Sequence, residues 1–172
     1  MELGGKKIAL FVADDYEDLE VWYPKLRLKE AGADVTVIGP DFGPDICTGK
    51  HGYKIELDRR AADVDSDSFD AAIVPGGWAP DKLRQCQNIV NIISKMVEYN
   101  KLIASICHGG WVLASADIVE GVEMTSTPAI KDDLEHAGAK WVNEEVVIDQ
   151  KIVSSRAPGD LPAFCRTIIK KL

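Results

Sequence analysis

Three observations predict an α/β protein, a single doubly wound domain with a mostly parallel sheet flanked by helices. Short apolar runs alternate with helical segments through the 172 residues. The opening segments form a strand–helix–strand unit, which implies parallel pairing. No linker, repeat or low-complexity tract interrupts residues 1–172, so one domain accommodates the whole sequence.

Lys7 to Ala13 reads as a buried strand, short and apolar, followed by acidic residues. Leu19 to Ala31 reads as a helix with Leu19, Trp22, Tyr23, Leu26 and Leu28 on its apolar face, stopped by Gly32. Asp34 to Gly39 is the second strand. Tyr53 to Leu57 alternates with period two and predicts a short edge strand. Phe69 to Val74 is a core strand ended by Pro75-Gly76-Gly77. Asp81 to Tyr99 predicts one helix with Leu83, Ile89, Val90, Ile93, Met96 and Val97 inward. Lys101 to Ile106 is a buried strand that runs into Cys107-His108-Gly109-Gly110 and an apolar helix to about Ala116. The remainder predicts a strand at Glu123 to Ser126 and a helix at Ala129 to Ala137. A hairpin follows, Val146 to Ile148 with Ile152 to Ser154 and a turn at Asp149-Gln150. The last helix runs from Leu161 to Leu172.

Composition excludes several classes. A net charge of −8, with no basic run longer than Arg59-Arg60 or Lys170-Lys171, leaves nothing to neutralise nucleic-acid phosphates or an anionic membrane. No apolar stretch approaches the roughly 20 residues that span a bilayer, and the start of the chain lacks signal-peptide character. A cytoplasmic location is expected. The four cysteines, Cys47, Cys86, Cys107 and Cys165, are widely spaced without a C-x-x-C pair, so free thiols are expected.

In an open α/β sheet the crevice lies beyond the carboxyl ends of the strands. Asp14 to Asp18, Pro75 to Asp81 and Cys107 to Gly110 should meet there. Ser105-Ile106-Cys107-His108-Gly109 has the small-x-nucleophile-x-Gly form of a nucleophile elbow, in which small flanks let a strand turn at once into a helix. Free N–H groups at the helix start favour a thiolate. The plain alternative, a buried core cysteine, explains neither the small flanks nor the adjacent histidine. His108 is a candidate base, or a histidine that only caps the helix. Within Asp14 to Asp18, most carboxylates suit helix capping, and the sequence does not pick one for chemistry. Gly76 and Gly77 could offer N–H groups to an oxyanion, or could simply form a turn. Cys47 and His51 have a loose metal-like spacing that no second pair completes, and no calcium loop is present, so neither a metal nor another cofactor is expected. His51 and His136 read as solvated or structural.

Ala104-Ser-Ile-Cys-His-Gly109, Val74-Pro-Gly-Gly77 and Tyr16-Glu-Asp18 closely resemble the PfpI-type intracellular protease family. That family belongs with the glyoxalase III and protein deglycase enzymes and has a class I glutamine amidotransferase-like, flavodoxin-like fold. The likeness runs the whole chain, through 48–53, 130–134, 141–147 and 154–161. It implies Cys107 as nucleophile, Glu17 as the carboxyl bonded to the thiol and His108 as the paired histidine. Asp81, at a position where the family usually has Glu, would be the acid supplied by a neighbouring subunit. The backbone of Gly77 and His108 would form the oxyanion pocket, with Gly76, Gly109 and Thr127 beside it. Thr127 stands where Tyr is frequent, and Gly110 replaces a common Pro. Assembly as a dimer or hexamer is implied.

The resulting expectation is cofactor-free conversion of small 2-oxoaldehydes to 2-hydroxy acids, of the glyoxalase III or deglycase type. Two others use the same thiol: peptide hydrolysis by Cys107 and His108, and a stress sensor that works by oxidation of Cys107. The expected partners are a small aldehyde or a peptide, with no nucleic acid and no membrane.

Overall fold

The computed structural model describes residues 1–172. In chain order its elements are β1 (Lys7–Phe11), α1 (Asp18–Glu30), β2 (Asp34–Gly39), β3 (Ile46–Thr48), β4 (Lys54–Glu56) and β5 (Arg59–Arg60). Then come β6 (Ala71–Val74), α2 (Ala79–Leu83), α3 (Gln87–Glu98), β7 (Leu102–Ile106) and α4 (Gly110–Ser115). The last are β8 (Glu123–Met124), α5 (Lys131–His136), β9 (Lys140–Trp141), β10 (Val146–Asp149), β11 (Ile152–Ser155) and α6 (Leu161–Lys171).

The main sheet has the order β10-β11-β7-β6-β1-β2-β5. Every neighbouring pair is parallel except β10 with β11. The pairings Leu10↔Ile73 and Val74↔Ser105 align the carboxyl ends of β1, β6 and β7. From β1 the chain crosses to β2 on one side, while β6 and β7 lie on the other. This reversal opens a crevice beyond those carboxyl ends. Ile8, Leu10, Phe11, Ile73, Val74, Ile103 and Ile106 are fully buried at the centre, as expected for parallel strands covered on both faces. No helix is long and apolar enough to cross a membrane.

Most predicted elements recur with bounds shifted by one or two residues, and four differ in kind. The residues of the single helix predicted over Asp81 to Tyr99 form α2 and α3. The chain breaks at Cys86, whose extended backbone (φ −88°, ψ 105°) turns its thiol inward to 3.3 Å from Asp41 Oδ2. The predicted edge strand Tyr53 to Leu57 instead pairs as β4 with β3 in a separate hairpin, Cys47↔Ile55, and β5 takes the sheet edge. The β10–β11 turn is Gln150-Lys151, with Gln150 at φ 52°, because Asp149 still pairs with Ile152.

The fourth difference concerns the face of α1. Leu19 is 57% exposed, Leu26 60% and Tyr23 37%, whereas Glu20, Val21, Pro24 and Leu28 face inward. The apolar residues of this helix point two ways, and tertiary packing selects the stripe through Glu20, Pro24 and Leu28. Leu28→Ala should therefore cost about 2–5 kcal/mol, as for a buried leucine. Leu26→Ala should stay near ±0.5 kcal/mol, as for a surface site. Urea unfolding of both variants checks this, and equal losses would contradict the assigned face.

Candidate active site

Four segments meet at the crevice. The backbone of Tyr16 bridges to Gly77, the Glu17 N–H donates to Gly76 O (3.3 Å), and the Trp78 N–H donates to Asp15 O (2.8 Å). The 48–53 loop, which the sequence did not place here, closes the other side. Its Lys50 N–H donates to Tyr16 O (2.9 Å) and its Thr48 N–H to Asp14 Oδ1 (2.8 Å). The last segment is Cys107 to Gly110, at the end of β7.

Cys107 has φ +59°, a left-handed conformation that L-residues rarely adopt. The elbow enforces it: strand β7 ends at Ile106 and a 3₁₀ turn begins at Cys107. Gly109 permits the turn, because a Cβ there would collide with the Val74 carbonyl oxygen. Gly109 is thus buried for steric reasons and does not line a substrate surface. Backbone N–H groups of Gly77 and His108 act on the thiol and favour its ionised form. Gly77 has φ +75°, and a Cβ there would strike the Asp15–Glu17 backbone. The Thr127 N–H donates to the Cys107 carbonyl (3.4 Å), which keeps Thr127 at the site's edge. Gly110 faces away: a Cβ there would meet Leu134 and Ile130 of the α5 region at 3.2–3.3 Å.

The carboxyl at the thiol is Glu20, not Glu17. Glu20 is fully buried on the inward face of α1. Its Oε2 accepts the Gly76 N–H at 2.7 Å, and its Oε1 is buried without a hydrogen-bond partner. A Cβ on Gly76 would lie 2.6 Å from Glu20 Oε2, 2.7 Å from Cys107 Cβ and 2.9 Å from the His108 nitrogen, so only glycine fits between them. The Gly76 N–H is therefore committed to Glu20, and Gly77 and His108 supply the N–H groups at sulfur. Glu17 points to the rim, where Oε2 lies 3.3 Å from Lys50 Nζ and Oε1 3.7 Å from His51 Nε2. The signal for Glu20 was its place at i, i+4, i+8 with Pro24 and Leu28: a lone charge on the buried stripe.

Burial pushes the Glu20 carboxyl up to about 8, against which the Gly76 N–H and the Lys50 charge pull down. Burial and then the Glu20 charge push the Cys107 thiol up to about 12. The standing thiolate expected from the elbow is thus opposed by desolvation. Burial, with the charge of Lys50, holds His108 below its usual value and so neutral. Its Nδ1 lies 3.3 Å from Cys107 Sγ. Asp81 does not reach His108 within the chain: it is exposed, and its Oδ2 accepts from Gln85 Nε2 (3.3 Å).

Glu17, Asp18 and His51 place ligand atoms within 4.8 Å of one another. Both Asp18 oxygens already accept backbone N–H groups, from His51 and Tyr53 at 2.9 Å. That donor set suits a loop anchor better than a metal. All four cysteines are free, with Cys47, Cys86 and Cys165 buried.

The raised Glu20 value has a stability consequence with a definite sign. Between about 4.5 and 8 the unfolded carboxyl ionises while the folded one keeps its proton, so the native state loses stability as pH rises through that window. Glu20→Gln cannot titrate. Its melting temperature should gain on the wild type by several degrees between pH 5 and pH 9. A gap independent of pH, measured by calorimetry, would contradict the raised value.

A family model described as DJ-1/PfpI matches residues 6–171. The chain is 46% identical to a deglycase of Thermococcus kodakarensis and 43% identical to the deglycase PfpI of Pyrococcus furiosus. Each match covers 96% of this chain and 99% of the relative. Among solved structures, Drosophila melanogaster DJ-1beta superposes with a TM-score of 0.90 at 28% identity, over 97% of this chain and 90% of that one. A two-domain Anabaena variabilis protein with DJ-1/ThiJ/PfpI-like and ferritin-like domains superposes with a TM-score of 0.94 at 36% identity. That match covers 96% of this chain and 48% of the larger protein.

Proposed function

The chain belongs to the DJ-1/PfpI family, and from that premise we propose that it is a cysteine-dependent enzyme converting 2-oxoaldehydes to 2-hydroxy acids without a cofactor. Two deglycases among its relatives support an enzyme of this family. The observation that carries the reading is a buried carboxyl, Glu20, facing the Cys107 thiol across Gly76, with two N–H groups beside the sulfur.

The chemistry follows from that arrangement. The ionised fraction of Glu20, which grows as pH rises towards about 8, takes the thiol proton, and the sulfur adds to the aldehyde carbon of methylglyoxal. The oxygen that gains charge accepts the N–H groups of Gly77 and His108. Glu20 gives the thiol proton to that oxygen, leaving a neutral hemithioacetal. Ionised again, it removes the proton from the former aldehyde carbon and delivers it to the neighbouring carbon, while the hydroxyl proton passes to the neighbouring carbonyl oxygen. This leaves a 2-hydroxy thioester on Cys107. Water hydrolyses the thioester to lactate and regenerates the thiol. Neutral His108, at Sγ through Nδ1, relays protons in the hydrolysis. Unpartnered Oε1 offers Glu20 a free lone pair for the transfer.

Conversion of methylglyoxal to lactate by the purified protein tests this. Cys107→Ala should abolish turnover. Glu20→Gln should lower it by about 10²–10⁴-fold, the usual worth of a general base. Glu17→Gln, at the rim, should cost far less. Equal losses for Glu17→Gln and Glu20→Gln would defeat the assignment, and an inactive wild type with reduced Cys107 would defeat the reaction.

A second reading, peptide hydrolysis, is favoured by the 3.3 Å Cys107–His108 contact. We propose a homo-oligomer as well. Asp81 faces outward, as an acid offered to a second copy would. Light scattering at assay concentration should give a dimer or hexamer. A monomer with full activity would remove Asp81 from the mechanism.

A further inference from the structure

His108 directly follows the nucleophile, and adjacent side chains on a tight turn diverge unless something turns one back. Here the imidazole does turn back, with Nδ1 3.3 Å from Cys107 Sγ. In a nucleophile–histidine–acid arrangement a carboxylate on the far nitrogen does this work. No acid of this chain bonds His108, and Asp81 is engaged by Gln85 of its own turn.

Two indoles bracket the ring instead. Trp78, between β6 and α2, has its ring centroid 5.2 Å from that of His108 at 48°. Trp111, on α4, stands edge-on at 5.1 Å and 64°. Both distances fall in the range where aromatic pairs attract. Trp111 is itself fixed. Its Nε1–H donates to Asp133 Oδ2 at 2.7 Å, and the Arg84 guanidinium lies 5.6 Å from its ring centre. Trp78 is tied through its backbone N–H to Asp15 O (2.8 Å), yet the residue is 54% exposed. An exposed indole adds little to a core, but its contact with His108 gives it a task at the site.

We propose that Trp78 and Trp111 are positioning residues that clamp the His108 imidazole against Cys107 from within the same copy of the chain. Asp133 acts one step back by anchoring Trp111. The chain of contacts is Asp133 to Trp111 to His108 to Cys107, and it lies wholly within one copy of the chain. This deepens the proposed function and rests on Cys107 being the nucleophile.

The test uses the full chain and three readouts: kcat and KM on methylglyoxal, iodoacetamide alkylation of Cys107 by peptide mass spectrometry, and the ¹⁵N signals of His108. Trp111→Ala and Trp78→Ala should each lower kcat by about tenfold or more, the scale expected when a reacting group drifts by a fraction of an ångström. KM should change by less than about threefold, and alkylation should slow in parallel. Trp111→Phe, which keeps an aromatic edge but loses the bond to Asp133, should recover part of the rate, and Asp133→Ala should fall between the wild type and Trp111→Ala. The ¹⁵N signals should report one fixed tautomer in the wild type and averaging in the alanine variants. Unchanged alkylation and ¹⁵N signals in Trp78→Ala would overturn the clamp, and that exposed site avoids the folding risk at Trp111. A Trp111→Phe protein as slow as Trp111→Ala would also overturn it. Alkylation and ¹⁵N signals do not need turnover, so failure of the clamp and failure of the oxoaldehyde reaction are read separately.

Discussion

The hydrogen bond from the Gly76 N–H to Glu20 Oε2 joins a helix on one side of the sheet to the loop that follows its central strand. Everything at the site is arranged around the space this bond leaves. Glu20 can be buried only because one oxygen has a donor, and Gly76 can supply that donor only because it has no side chain to strike Glu20 or Cys107. Removing either partner would leave a buried polar group unpaired, which costs more than the bond itself contributes.

The same crowding explains why three strand ends converge so tightly. Gly77 and Gly109 sit where a Cβ would meet backbone of Tyr16 and of Val74, so β1, β6 and β7 deliver their loops within van der Waals contact. The 48–53 loop completes the wall through Asp18, whose carboxylate gathers two of its N–H groups. Placing Lys50 there brings a cation near Glu20 and His108. Its charge works against protonation of both, tempering the burial of Glu20 and reinforcing that of His108.

Much of this was legible in the sequence. The parallel order followed from alternating strands and helices, and the Ser105-to-Gly109 spacing located the elbow. Three things were not legible, for physical reasons. Alpha-helix α1 carries apolar residues on two faces, so periodicity could not say which stripe packs, and Glu20 lay on the stripe the periodicity passed over. The acidic cluster picks no one carboxyl, and the family resemblance singled out Glu17, which in the structure faces Lys50 and His51 instead of the thiol. Elements broken by a single extended residue, as at Cys86, depend on a side chain finding a distant partner, Asp41, which local pattern does not encode.

The positive φ of Cys107 bears on how such a protein can change over time. A left-handed nucleophile and a carboxyl buried against its preference are both relieved when the chain unfolds, so each is a standing debit in the native state. Glycine at the first position or a neutral amide at the second would relax the fold while disarming the chemistry. Selection for endurance alone would therefore drift toward an inert protein of the same shape.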